Sequence, residues 1–268
     1  MKINGQRIIL TGAASGIGKS LLQRLSLYDC QIFAVDIQPE QLQTTINALE
    51  NNAATIHAFV ADLTLPQALD ELFEVAQQTL AGIPDIFVAN AGFAYYEQFP
   101  IKPDWRHIEK IFQLNVFSPL YALQKMRELN GNRPYYVLMT ASAMAKLGMP
   151  GYALYAATKA ALGRFEDAYR FEPSDKGRLG LVYPIATKTN FFQATGHTEV
   201  PVPFPSQTAE QVAEAMLKGI LKNKRAIYPS LLFRISRFPQ AFFEWISMPY
   251  QFYYAQVLQK WLANKQEP

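Results

Sequence analysis

In the run Tyr155-Ala156-Ala157-Thr158-Lys159 a phenol and an ammonium stand four residues apart. Residues i and i+4 share one face of a helix, so the two groups are neighbours if the run is helical. An ammonium beside a phenol stabilises phenolate and lowers its pKa from the reference of about 10. Tyr155 is then a candidate acid/base near neutral pH. The pair alone is a weak signal, because Tyr-x-x-x-Lys also arises on ordinary amphipathic helix faces. Ser142 strengthens it. Its hydroxyl lies thirteen residues before Tyr155, just past a predicted strand over 135–141. Parallel α/β sheets bind ligands at the carboxyl ends of their strands. Ser142 and the start of the next helix can therefore converge on one crevice.

A second feature points to the same crevice. Thr11-Gly12-Ala13-Ala14-Ser15-Gly16-Ile17-Gly18 follows the first predicted strand and opens the first predicted helix. Gly12 permits a sharp turn, Gly16 lets backbone approach a pyrophosphate, and Gly18 lets helix pack on sheet. The helix N-terminus offers free N–H groups and partial positive charge to phosphates. Asp36 ends the second strand 18 residues after Gly18, near the roughly 20-residue spacing at which a carboxylate meets an adenosine ribose. A carboxylate there accepts from a ribose 2′-hydroxyl and repels a 2′-phosphate. Ile37 and Gln38 follow it, with no Arg or Lys, and Lys19 comes after the turn. Asp36 thus favours NAD(H) over NADP(H).

The elements that must position these residues are short apolar strands alternating with amphipathic helices, the pattern of βαβ units. Strands are predicted over 7–10, 31–36, 55–61, 85–89, 135–141 and 178–183, with a short seventh over 226–228. Helices are predicted to fill the intervals, notably over 17–27, 66–80, 105–129, 152–171 and 208–221. Right-handed crossovers place helices on both faces of the sheet. The fold class is α/β, a Rossmann-type doubly wound parallel sheet in a single domain. Residues 1–228 hold the cofactor and the reacting groups. Residues 229–268 form an aromatic and basic helical extension. Residues 190–206 hold three prolines and read as a loop.

The chain's 268 residues, half of them hydrophobic, suffice for one large core. A formal net charge of +3 gives no case for nucleic acid as a partner. No signal peptide is read at the N-terminus, nor any run of the roughly 18 apolar residues of a spanning helix. The single cysteine, Cys30, reads as a buried small hydrophobe and suits a reducing cytoplasm. His57, His107 and His197 lack metal-ligand spacing, and the chemistry needs no metal.

The glycine turn, Asn90-Ala91-Gly92, Asn115, Ser142, Tyr155 and Lys159 match in order and spacing the classical short-chain dehydrogenase/reductase family, which the chain resembles from about Arg7 to Thr189. The resemblance implies an NAD(P)-dependent oxidoreductase moving hydride between nicotinamide and an alcohol or ketone. Tyr155 would exchange a proton with the substrate oxygen, and Ser142 would hydrogen-bond that oxygen. Lys159 would hold the nicotinamide ribose and lower the Tyr155 pKa. Asn115 would hold a water linking Lys159 to solvent. Asn90 would lie beside the adenosine-side ribose and brace the sheet. Asp62 would meet the adenine, with Leu63 beside it. Ser15, Ile17, Ala91, Gly92, Pro184, Thr187 and Thr189 complete the implied cofactor contacts. The resemblance also implies a homo-oligomer.

The chain departs from the family where substrate would lie. The family shows Pro-Gly after strand six; here Ile185 follows Pro184. A β-branched residue would be strained there if the position needs positive φ; otherwise its side chain narrows the nicotinamide site. The Gly usual shortly after the serine is also absent, since Ala143-Met144-Ala145 follows Ser142. Phe93, Tyr95, Tyr96, Met144, Leu147, Phe191 and Phe192 crowd the expected substrate positions, which suits a hydrophobic alcohol or ketone. From Lys218 onward eight Lys or Arg stand against two Glu. With its aromatics, this tail suits a helix lying in a membrane interface, and equally one packed on another subunit or over the cleft. Two rival readings are a non-catalytic nucleotide-binding scaffold on the same fold and a sugar-nucleotide epimerase or dehydratase.

Overall fold

A computed structural model describes residues 1–172, 175–189, 203–242 and 248–264. Seven parallel strands make the sheet: β1 (Arg7–Thr11), β2 (Gln31–Asp36), β3 (Thr55–Val60), β4 (Ile86–Ala89), β5 (Tyr135–Thr140), β6 (Gly177–Val182) and β9 (Ala226–Ile227). Their order is β3-β2-β1-β4-β5-β6-β9. The order reverses direction between β1 and β4, the switch point at which such sheets open a crevice.

Period-two alternation explains why the sheet buries both faces. On β1, Ile8 and Leu10 point into one core with Leu21, Leu22 and Leu25 of α1 (Gly16–Leu25) and Val212 and Met216 of α7 (Ala209–Leu221). Ile9 points into the opposite core, with Leu72 and Phe73 of α3 (Pro66–Thr79), Leu123 and Met126 of α5 (Ser118–Asn130) and Leu162 of α6 (Ala153–Tyr169). On β5, Tyr136 and Leu138 take the first side, and Tyr135, Val137 and Met139 the second.

Helix α2 (Pro39–Asn47) fills the interval after β2, as expected of a strand–helix alternation. Two features depart from the sequence-based expectations. The expected long helix over 105–129 is α4 (Trp105–Phe112), a π-helical turn (Gln113–Phe117) and then α5. Pro119 explains the interruption: lacking an N–H, it cannot continue the α-helical ladder. Part of the expected 190–206 loop is a strand, β8 (Ser206–Thr208), paired in parallel with β7 (Ala186–Lys188).

The tail forms α8 (Leu231–Phe242) and α9 (Met248–Asn264). Phe233 of α8 is buried in the second core. Tyr254 and Leu258 of α9 make a third apolar cluster with Ala94, Tyr96, Met149 and Tyr152. Polar bonds tie α9 down. Gln251 Nε2 donates to the Gly148 carbonyl at 2.8 Å, and Tyr250 Oη to the Phe204 carbonyl at 2.9 Å.

Candidate active site

The glycine turn is built as its sequence demands. Gly12 and Gly16 have φ of 68° and 51°, which disfavour any side chain. At Gly18 a Cβ would overlap the Gly12 carbonyl oxygen, so α1 can start this close to β1 only with glycine there. Thr189 packs against Gly16, its Cγ2 3.2 Å from where a Cβ would stand. The turn thus leaves a cradle of backbone at the N-terminus of α1, and the residues present fit a bound dinucleotide. Asp36 faces the same turn: its Oδ2 accepts from the Ala14 N–H at 2.9 Å, and its Oδ1 from the Gln38 N–H at 3.1 Å.

Asn90 locks three strands at this end of the sheet. Its Nδ2 donates to the Thr11 and Gly12 carbonyls at 3.2 and 3.3 Å, and its Oδ1 accepts from Thr140 Oγ1 at 3.3 Å. Thr11, which sequence reasoning missed, adds a buried hydroxyl that accepts from the Asn90 and Ala91 N–H groups, both at 3.0 Å.

The candidate reacting groups converge at the carboxyl ends of β4 and β5. Lys159 is buried, and its Nζ donates to the Thr140 carbonyl at 2.8 Å. The same Nζ lies 5.5 Å from the Tyr155 ring centre. Ser142 hydrogen-bonds the Tyr155 hydroxyl. The Ser142 Oγ also accepts from the Met144 N–H at 3.1 Å, fixing the short 3-10 turn Ala143–Ala145. Gly92 brings backbone close to both Asn115 and Lys159; a Cβ there would stand 2.9 Å from Asn115 Oδ1 and 3.6 Å from Lys159 Nζ. Asn115 sits in the π-helical turn, where its Nδ2 also donates to Thr158 Oγ1 at 3.2 Å. Thr158, again missed, is fully buried and donates in turn to the Tyr155 carbonyl at 2.7 Å.

Burial decides the electrostatics. It pushes the Tyr155 phenol up to about 12, against a smaller lowering by the Ser142 hydrogen bond. It pushes the Lys159 ammonium down to about 7. The sequence argument expected Lys159 to lower the phenol's pKa. Here the direction is upward, because desolvation drives both groups toward their neutral forms.

Other expected site residues make contacts within the chain. Asp62 Oδ1 accepts from the Thr64 N–H and hydroxyl at 3.0 and 2.8 Å, and Leu63 is buried in the second core. Thr187 Oγ1 donates to the Ile185 carbonyl at 2.9 Å. Ile185 is not among the positive-φ residues, so no strain arises there; it packs at the edge of the second core. The Pro184 carbonyl accepts from the Ala143 N–H at 2.7 Å, joining the loop after β6 to the serine loop. Phe93 is buried, edge-on to Tyr95 at 5.1 Å, which leaves it little surface for substrate. Met144 packs with Tyr155 at the third cluster, and Leu147 is half-buried. Phe191, Phe192 and His197 lie outside the described residues.

The sequence pattern of the short chain dehydrogenase family matches residues 6–200. The chain belongs to the short chain dehydrogenase family. A fatty acyl-CoA reductase of Mycobacterium tuberculosis is 23% identical over 250 residues, covering 91% of this chain and 83% of that protein. A short chain dehydrogenase/reductase from Burkholderia phymatum, solved with NAD, matches with a TM-score of 0.80 at 16% identity, over 93% of this chain and 96% of that one. A short-chain dehydrogenase from Sphingobium yanoikuyae, solved with NADPH, matches with a TM-score of 0.73 at 23% identity, over 87% and 92%. This short-chain dehydrogenase therefore carries the family's oxidoreductase fold, with the tyrosine, lysine and serine gathered at the switch-point end of its sheet.

Proposed function

We propose that the protein transfers hydride between NAD(H) and a hydrophobic alcohol or ketone, with Tyr155 as acid/base. The observation that carries this reading is the grouping of Tyr155, Ser142 and Lys159 against Asn115 and Gly92. The nicotinamide would supply or accept the hydride when the dinucleotide is bound with its pyrophosphate at Gly12, Gly16 and Gly18. Every other task falls to the chain. Ser142 orients the substrate oxygen toward the Tyr155 hydroxyl. Neutral Tyr155 donates its proton to that oxygen as a carbonyl is reduced; in the reverse direction the Tyr155 phenolate takes the proton as an alcohol is oxidised. Lys159, anchored on the Thr140 carbonyl, stabilises the phenolate when its own amine is charged. Asn115 and Thr158 hold the loop and the helix that frame these groups.

Asp36 at the glycine turn favours NAD(H) over NADP(H), since its carboxylate would face a 2′-phosphate. The apolar substrate is supported by the wall beside Tyr155, where Met144, Tyr96, Tyr152 and Tyr254 pack together. The Mycobacterium relative is named for a fatty substrate. Residues 1–228 hold the cofactor and reacting groups, and α9 of the 229–268 extension closes that wall. Homo-oligomeric assembly and a cytoplasmic location belong to the same reading, the first carried by the family and the second by the lone, buried Cys30.

The test is absorbance of reduced nicotinamide with purified protein and a panel of alcohols, ketones and aldehydes. Oxidation of NADH by bulky apolar carbonyls is expected. Cofactor binding with no turnover of any substrate would instead mark a scaffold. Conversion of a nucleotide sugar with no net change in NADH would mark an epimerase.

A further inference from the structure

The inner face of α9 closes the apolar wall of the site, and its outer face is bare. Phe252 is 69% exposed, with Tyr253 beside it. Phe204, 80% exposed, has its backbone pinned to the same helix: its N–H donates to Tyr254 Oη at 2.9 Å and its carbonyl accepts from Tyr250 Oη. The ring of Tyr253 stands edge-on to that of Tyr254 at 5.1 Å. Three exposed rings therefore stand on α9 and on the strap hydrogen-bonded to it. Further along the same face come Gln256, Gln259 and Lys260, all exposed. On α8, Phe233 turns inward while Leu231, Leu232 and Ile235 are exposed on one side, with exposed Arg234 beside them.

Charge decides what such a surface meets. The charged side chains described on α8 and α9 are Arg234 and Lys260, both exposed and both basic. Two copies joined through this segment would bring like charges together. An anionic lipid surface would complement them. Aromatic and aliphatic side chains flanked by Lys and Arg are the composition of a helix lying in the headgroup region. No helix among the described residues is long and apolar enough to cross a membrane, and a helix lying in the interface needs no such length.

We infer that the outer face of α9, with Phe204 and the exposed side of α8, docks this protein onto an anionic lipid bilayer. The docking is independent of the proposed reaction. Only its consequence, that an apolar substrate enters from the bilayer beside α9, rests on that reading.

Full-length protein is sedimented with phosphatidylcholine vesicles and with vesicles that also contain phosphatidylserine. The expected result is binding to the phosphatidylserine vesicles that weakens as salt rises. A Phe204→Ser/Phe252→Ser/Tyr253→Ser variant is expected to bind on the order of tenfold more weakly. An Arg234→Glu/Lys260→Glu variant, which leaves the apolar patch untouched, is expected to lose the preference for phosphatidylserine. Absence of wild-type binding to either vesicle overturns the inference. So does unchanged vesicle binding by the serine variant together with a smaller assembly in sedimentation velocity, which would make the patch a contact between copies of this chain. The measurement needs no catalysis, so its failure and a failure of the proposed reaction are separate results.

Discussion

Asn115 grips Phe93 by both of its backbone groups: Asn115 Nδ2 donates to the Phe93 carbonyl at 2.9 Å, and Asn115 Oδ1 accepts from the Phe93 N–H at 3.1 Å. The loop after β4 is thereby held against the helix that follows, with Gly92 beside Lys159. Asn115→Ala would leave both buried Phe93 groups without partners. A loss of about 2–4 kcal/mol is expected, read by urea unfolding, together with a lower kcat. Unchanged stability would contradict the clamp.

Gly18 sets the approach of α1 to β1. Gly18→Ala is expected to cost about 2–4 kcal/mol, because the new methyl meets backbone that cannot move aside. Gly148→Ala is the control. A Cβ there meets nothing within 4 Å, and a change within about 0.5 kcal/mol is expected. Thermal unfolding of the two variants side by side checks the difference.

Asp36 governs the cofactor preference. The wild type is expected to use NADH with a kcat/KM roughly tenfold or more above that for NADPH, from the repulsion of a 2′-phosphate. Asp36→Asn keeps an acceptor for the Ala14 N–H while removing the charge. Its expected effect is a narrower preference in the same steady-state assay. Better use of NADPH by the wild type would refute this role.

Burial of Lys159 makes stability depend on pH in a stated direction. Its folded pKa is lowered to about 7 from 10.5, so the charged form is disfavoured in the folded state. Between those values the unfolded chain binds the proton and the folded chain does not, and stability rises with pH. Below about 7 the full penalty is present; above 10.5 it is gone. Relative to Lys159→Met, the cofactor-free wild type is expected to gain stability from pH 7 to pH 10. A parallel pair of unfolding curves across that range would contradict the desolvated lysine.

Much of this architecture was legible in the residues. Strand alternation and the turn glycines placed β1 to β6 within a residue or so at each end, and Tyr155, Lys159 and Ser142 were legible from spacing. The bounds of helix α2 were not, because Leu42 and Thr45 are its only buried residues; Pro39 at its first turn was the available signal. The π-helical turn at Asn115 shifts hydrogen bonds by one residue, too little to disturb apolar periodicity over five residues. Thr11, Thr140 and Thr158 act through single hydroxyls and carbonyls, which leave no pattern in a sequence. The upward direction at Tyr155 follows from burial, which only the assembled fold supplies.

The central claim is that the Tyr155 hydroxyl moves the proton. The most direct measurement is turnover by Tyr155→Phe beside its affinity for NADH. Turnover reduced on the order of 1,000-fold or more, with cofactor affinity kept near that of the wild type, is the predicted result. Near-normal turnover in that variant would contradict it.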